Sequence, residues 1–306
     1  MAFLEEYRNQ VALLLRALPF VAKETDFALK GGTAINLFVR NMPRLSVDID
    51  LTYLPVTDRA TSLAAIDAAM VRIADKIRAA MADVHVAPSR LQKEGTITKL
   101  VVRQAHAQIK IEVTPVLRGA VYAPVEMDVS PLVEEQFGYA RIAVVSFADL
   151  YAGKIVAALD RQHPRDLFDI RDLLAHEGIS DDLRRAFLVY IISHNRPMAD
   201  ILKPSRKALE DEYRRGFDGM TQEDVPLTEL IDAREALITA MVAQMSDAHR
   251  RFLLGFKQGE PDWTSLGVPS AADLPAVKWR AHNLAKLPAS RRADLIGRLE
   301  GVFSKQ

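Results

Sequence analysis

The chain reads Leu29-Lys30-Gly31-Gly32-Thr33-Ala34 and, after a short spacer, Arg44-Leu45-Ser46-Val47-Asp48-Ile49-Asp50-Leu51. In the second run Val47, Ile49 and Leu51 alternate with Asp48 and Asp50, the period of a strand with one apolar face. Both carboxylates then project from the other face. Like charges that close repel, and each raises the pKa of the other. A divalent cation between them removes that cost, and magnesium favours carboxylate and substrate phosphate oxygens. The first run is a strand, two glycines, a threonine and a helix. Such a turn lets backbone amides approach an anion. Each half is common by itself, Asp-x-Asp by chance and Gly-Gly as a plain turn. In this order they form a nucleotide-plus-metal constellation.

The reading extends outward from there. Leu4 to Leu18 has the spacing of an amphipathic helix, Phe27 to Leu29 of a short strand, Thr33 to Val39 of a helix and Leu45 to Leu54 of a strand. Residues 62–82 form an Ala-rich helix. Thr96 to Arg103 and Gln108 to Thr114 alternate and read as an antiparallel pair. In the latter, Ile109, Ile111 and Val113 alternate with Lys110, Glu112 and Thr114. If this strand neighbours the aspartate strand, Glu112 joins Asp48 and Asp50. Three carboxylates suit two metal ions. The plain alternative is a solvated sheet face. Beyond about residue 125, helix signals dominate. Ser146 opens a helix to about Asp160, Pro164 and Gly178 bracket the next, and further helices fall at about 182–194, 227–245 and 247–257. The expectation is α/β plus α: a small mixed-sheet core over 1–125, then a helical domain over 126–306 that closes the active-site cleft.

Composition narrows the function. The 306 residues carry 40 Lys plus Arg against 40 Asp plus Glu, so any nucleic-acid contact must use a local patch. There is no cysteine, which removes disulfides, zinc–thiolate sites and a cysteine nucleophile. The N-terminal stretch has no basic segment before an apolar run, and no apolar run approaches a membrane span, so a cytoplasmic protein without membrane contact is expected. The Walker-type Gly-x-x-x-x-Gly-Lys-Ser/Thr motif and the Gly-x-Ser-x-Gly hydrolase motif are both absent. The seven histidines show no ligand spacing.

Gly-Gly-Thr, the spacer and Ser-x-Asp-x-Asp-Leu resemble the DNA polymerase beta-type nucleotidyltransferase superfamily. More narrowly, they resemble the AbiEii/MenT group of nucleotidyltransferase toxins. Asp149-Leu150-Tyr151-Ala152-Gly153-Lys154, Pro164-Arg165-Asp166-Leu167-Phe168-Asp169-Ile170 and Pro275-Ala276-Val277-Lys278-Trp279-Arg280 match the group as well. The resemblance implies that Gly31, Gly32, Thr33 and Ser46 hold the nucleotide triphosphate. It implies that Asp48 and Asp50 bind Mg2+ with Glu112 as third carboxylate, that Lys154 contacts the triphosphate, and that Asp166 is a further functional acid. It implies transfer of a nucleoside monophosphate from an NTP to an acceptor hydroxyl, most simply the 3′ end of tRNA. The role implied is that of a toxin, or a phage-defence protein, with a separately encoded antitoxin. Two alternatives stand beside this: a transferase acting on a protein side chain or a small molecule such as an antibiotic, and a non-catalytic nucleotide-binding protein.

Other residues have competing readings. Lys154 lies in an apolar helix and needs an anion, which a phosphate, Asp166 or Asp169 could supply. Arg44 and Lys30 could hold phosphate or balance the aspartates. Residues 276–306 carry a basic excess of five, including Lys278, Arg280, Lys286 and Lys305. That excess suits phosphate contact or a solvated helix face.

Overall fold

A computed structural model describes residues 5–304. Leu4 and Lys305 lie outside them. The chain divides into two compact units. The first runs to Ser146 and includes Gly219–Asp224; the second holds Phe147–Asp218 and the chain from Val225 on.

The first unit opens with helix α1 (Glu5–Ala22), strand β1 (Phe27–Lys30) and the short helical turn α2 (Gly31–Ala34). A π-turn over Ile35–Val39 follows, where the sequence predicts a plain helix. The Asn36 amide donates to the Gly32 carbonyl at 2.9 Å, and the Arg40 N–H reaches back to the Ile35 carbonyl at 2.7 Å. The second bond spans five residues and widens the turn, a feature frequent at functional sites. Then come β2 (Asp48–Tyr53), α3 (Arg59–Ala80), β3 (His85–Arg90), β4 (Ile97–Gln104), β5 (Ala107–Val113), β6 (Val125–Asp128), α4 (Pro131–Phe137) and β7 (Arg141–Val144).

The seven strands form one mixed sheet in the order β3-β4-β5-β2-β1-β7-β6. β2 pairs antiparallel with β1 and parallel with β5, and β4 pairs antiparallel with β5. Ile49, Leu51, Leu100, Val102, Ile109 and Ile111 are buried, and α1 and α3 pack on these strands. Asp48, Asp50, Lys110 and Glu112 alternate with them on the other face, as the period of two requires.

Three strands escape the sequence reading. β3 contains Pro88 and lies at one edge, where a missing N–H is tolerated. β6 lies at the other edge, is largely exposed and carries Glu126 and Asp128. β7 inserts beside β1 through Leu29↔Val144. Because β6 and β7 extend the sheet, the unit boundary falls at 146/147 rather than near 125. The aspartate strand also starts later than Leu45. The Leu45 N–H donates to the Met220 carbonyl at 2.8 Å and the Gln222 N–H to the Pro43 carbonyl at 3.1 Å, so residues 43–45 bridge to the 219–224 segment first.

Among the described residues the second unit is entirely helical. It comprises α5 (Phe147–Arg161), α6 (Pro164–His176), α7 (Asp181–Ser193), α8 (Met198–Leu202), α9 (Glu210–Gly216), α10 (Leu227–Ile238), α11 (Asp247–Gln258), α12 (Trp263–Leu266), α13 (Pro275–Ala285) and α14 (Ala289–Phe303). α5 packs on α6 and α7, and α6 on α10. Phe168, Phe187 and Tyr151 are fully buried within it. No helix among the described residues is long and apolar enough to cross a membrane.

Ile111 is fully buried in the centre of the sheet. Ile111→Ala should cost about 2–5 kcal/mol through lost burial and the cavity left behind. Chemical denaturation followed by circular dichroism measures it, with a lower midpoint and an unchanged slope expected.

Candidate active site

The sheet register assembles the first half of the site. Asp50 is the Cα partner of Glu112 on β5 and of Lys30 on β1. Glu112 is in turn the partner of Lys99 on β4. Lys99, Glu112, Asp50 and Lys30 thus form a row across four neighbouring strands, with Asp48 beside Lys110 next to it. Cross-strand partners share a face and interact directly. The Lys99 Nζ lies 2.8 Å from the Glu112 carboxylate, and this bond holds the Lys99 ammonium above the ordinary lysine range, with Asp48 adding to it. The Lys30 Nζ donates to the Thr114 hydroxyl at 3.1 Å. Burial pulls Lys30 below the usual lysine value, and Asp50 opposes that pull.

The glycine turn is built against this row. Gly31 has φ of +77°, and a Cβ there would lie 2.6 Å from the Asp50 Oδ2. A side chain at Gly31 is therefore excluded twice, by backbone conformation and by the carboxylate. A Cβ on Gly32 would meet the Arg44 Nη2 and the Ser46 Oγ, each at 2.9 Å. The turn is a cradle that any side chain would fill, bordered by a guanidinium, a hydroxyl and a carboxylate. Arg44 is buried and donates through Nη1 to the Leu45 carbonyl at 2.9 Å. The Thr33 hydroxyl is buried, donates to the Asp48 carbonyl at 2.5 Å and lies 3.1 Å from the Ser46 hydroxyl. In this state Thr33 ties the turn to the start of the aspartate strand and its hydroxyl faces the protein.

Asp48 and Asp50 fit a divalent cation by donor chemistry, hard oxygens two residues apart on one strand face. The expected trio is not gathered round one point. Among the described residues no group of three or more acidic or histidine side chains could hold a metal. The physical reason is the ion pair with Lys99, which draws the Glu112 carboxylate towards β4. Sequence reasoning missed Lys99. The signal was present in the hairpin, whose short turn puts residue 99 opposite residue 112 once the pairing is antiparallel.

Lys154 and Asp166 belong to the second unit. The Lys154 Nζ lies 2.8 Å from both Asp166 and Asp169, and all three side chains are buried. Arg161, largely exposed, completes a two-pronged contact with Asp166 at 2.5 and 3.0 Å. Burial alone would raise the Asp166 pKa. Lys154 and Arg161 outweigh it and hold the carboxyl far below the ordinary aspartate range. Of the partners open to Lys154, the structure shows the two aspartates, so this ammonium braces α5 against α6. The His163 imidazole accepts from the Arg165 N–H at 3.2 Å and caps α6 just before Asp166.

The basic C-terminal residues are mostly tied to the protein. Lys278 pairs with Asp273, Arg298 with Asp200 and Arg291 with Asp294. Arg292 donates to the Leu284 carbonyl at 3.0 Å. Trp279 is exposed and stacks on His282.

The family model of the nucleotidyl transferase AbiEii toxin, type IV toxin–antitoxin system, matches residues 12–282. The structure of MenT4, nucleotidyltransferase toxin Rv2826c from Mycobacterium tuberculosis H37Rv, is similar over 97% of this chain and 94% of that one. The TM-score is 0.61 and the sequence identity 13%, a likeness of fold. No curated protein sequence matches the chain.

Two predictions come from this geometry. Gly31→Ala should lower nucleotidyl transfer by about 100-fold through displacement of Asp50. Gly95→Ala, also at positive φ but in open space, should cost about 1–2 kcal/mol of backbone strain and leave transfer intact. Parallel assays and melting curves separate the two. Asp166→Ala leaves a buried ammonium with one carboxylate fewer and should destabilise by about 3–5 kcal/mol. Because the folded Asp166 pKa lies below its unfolded value, its stabilisation is present above about pH 4 and is lost as pH falls through the folded value. Acid unfolding of wild type should show that dependence, and Asp166→Asn should lack it.

Proposed function

The chain belongs to the nucleotidyl transferase AbiEii toxin family of type IV toxin–antitoxin systems, and from that premise we propose that it moves a nucleoside monophosphate from an NTP to the 3′ end of tRNA, with magnesium held by Asp48 and Asp50. The observation that carries the proposal is the register of the sheet. It sets Asp50 beside Glu112 and packs Gly31 against the Asp50 carboxylate.

In this reading the residues divide the work by charge. The cradle at Gly31–Gly32, bordered by Arg44 and Ser46, receives the triphosphate, and Thr33 fixes the cradle to β2. Lys30 and Lys110 add positive charge on the sheet face that the phosphates approach. When bound, magnesium supplies charge neutralisation at the transferring phosphate. The acceptor hydroxyl oxygen forms a bond to the α-phosphorus, the α–β phosphoanhydride bond breaks, and pyrophosphate leaves. Glu112 takes the hydroxyl proton once its carboxylate turns from Lys99. Positioning and electrostatics supply most of the rate in such chemistry. Lys154 and Asp166 keep the helical unit rigid. Family membership sets the protein opposite an antitoxin, and the setting proposed is the cytoplasm.

The test is a transfer assay with magnesium, total tRNA and each α-labelled NTP. Wild type should label tRNA. Asp48→Asn should fall to background with an unchanged melting curve. Label that persists in Asp48→Asn sinks the metal assignment. Pyrophosphate release that requires another acceptor, with tRNA unlabelled, sinks the tRNA assignment.

A further inference from the structure

The second unit contains a cavity of about 250 Å³ that the transfer chemistry does not use. Its wall is formed by the end of α7 and the residues that follow it into α8, by α11, by α13 and by Leu295 of α14, with Lys257 and Arg280 among the lining residues. Among the described residues Lys257 makes no hydrogen bond and pairs with no carboxylate. The Arg280 guanidinium is held by neutral acceptors, the Asn195 side chain at 2.6 Å and the Ser193 carbonyl at 3.5 Å. Arg196 also lines the cavity, but Asp160 neutralises it at 2.5 Å. The nearby His194 shares that same aspartate at 3.6 Å.

Two cations without a carboxylate partner therefore border one cavity. Burial lowers the pKa of both, and Arg280 lowers that of Lys257 further. Such an arrangement costs free energy in the empty protein, and an anionic ligand removes the cost. Perturbed groups of this kind in a cavity mark binding sites. The geometry also specifies the anion. A guanidinium presents a planar fork suited to phosphate, and an ammonium adds a point charge. The rest of the wall includes Phe256, Leu284 and Asn283. Apolar surface with one amide suits a base or sugar, whereas a bare ion would leave most of the volume unfilled. The volume sits at the small end for ligand pockets, enough for one unit rather than two.

We propose that this cavity binds one phosphorylated nucleotide unit, its phosphate held between Lys257 and Arg280. The unit is either free or part of an RNA strand, and the shared chemistry is the phosphate ester with its attached sugar and base. The cavity is lined by residues of the second unit alone, and none of them is among the residues assigned to transfer.

Calorimetric titration of the full chain without magnesium tests the proposal, using AMP, a 5′-phosphorylated RNA tetranucleotide and inorganic phosphate as probes. Wild type and Asp48→Asn should both bind AMP or the tetranucleotide. Lys257→Gln and Arg280→Gln should each weaken that binding by about 10–100-fold, the range for a lost hydrogen bond to a charged group. Lys257→Arg keeps the charge and should retain binding. Lys257→Gln should melt no lower than wild type, because it removes an unpaired cation. Binding of AMP indicates that a free nucleotide suffices; binding of the tetranucleotide alone assigns the site to an RNA strand. No saturable binding of either, binding that survives both glutamine variants, equal loss in Lys257→Arg and Lys257→Gln, or inorganic phosphate binding as tightly as AMP would each overturn the proposal. None of these outcomes bears on transfer at Asp48, so the two readings fail separately.

Discussion

The parallel pairing of β2 with β5 makes Asp50 and Glu112 cross-strand neighbours on one sheet face, and two like charges one strand apart must be offset by cations. The protein supplies them from the flanking strands, Lys99 on β4 and Lys30 on β1, and from β5 itself, Lys110. The apolar alternation of the same strands holds this row in register, since a slip by one residue would turn every carboxylate into the core. The glycine turn is built on the same constraint. Gly31 is glycine because the Asp50 carboxylate occupies the space a side chain would need. Thr33 spends its hydroxyl on the Asp48 carbonyl and so ties the turn to the acids.

The helical unit handles charge in two opposite ways. Around Lys154 the compensation is complete, with two buried aspartates on one ammonium and Arg161 on the outer carboxylate. A network satisfied to that degree fixes the packing of α5 on α6, and loss of any member leaves a charge without relief. Around Lys257 and Arg280 the compensation is missing, and the unmet charge lies against a void. The contrast sets a structural use of the buried Lys154 against the binding use proposed for the half-buried Lys257 and Arg280.

Much of this was legible in order along the chain. The Asp48-x-Asp50 alternation, the glycine pair and the Glu112 strand are local patterns, each set by a period of two or by a turn. They come side by side because β2 pairs with β1 and β5 in the register that the alternation requires. The edge strands were not legible. β3 carries Pro88, β6 is charged and exposed, and neither shows the alternation that burial of one face imposes. The role of Lys154 was open, because a helix pattern shows that a buried cation needs an anion but not which anion. The bridge from residues 43–45 to 219–224 joins segments far apart in sequence and has no local signature.

By itself the sequence determined an alternating α/β half and a helical half, the strand face that carries the acids, and membership of a nucleotidyltransferase group through motifs of fixed spacing. These follow from short-range periodicity and from residue chemistry. Only the tertiary structure decided that Lys99 holds Glu112, that Asp166 and Asp169 share Lys154, and that Lys257 and Arg280 border one cavity without a carboxylate partner. Which charge meets which is a property of strand order and helix packing, where partners far apart along the chain come within a few ångströms. No pattern of neighbours in the sequence encodes that distance.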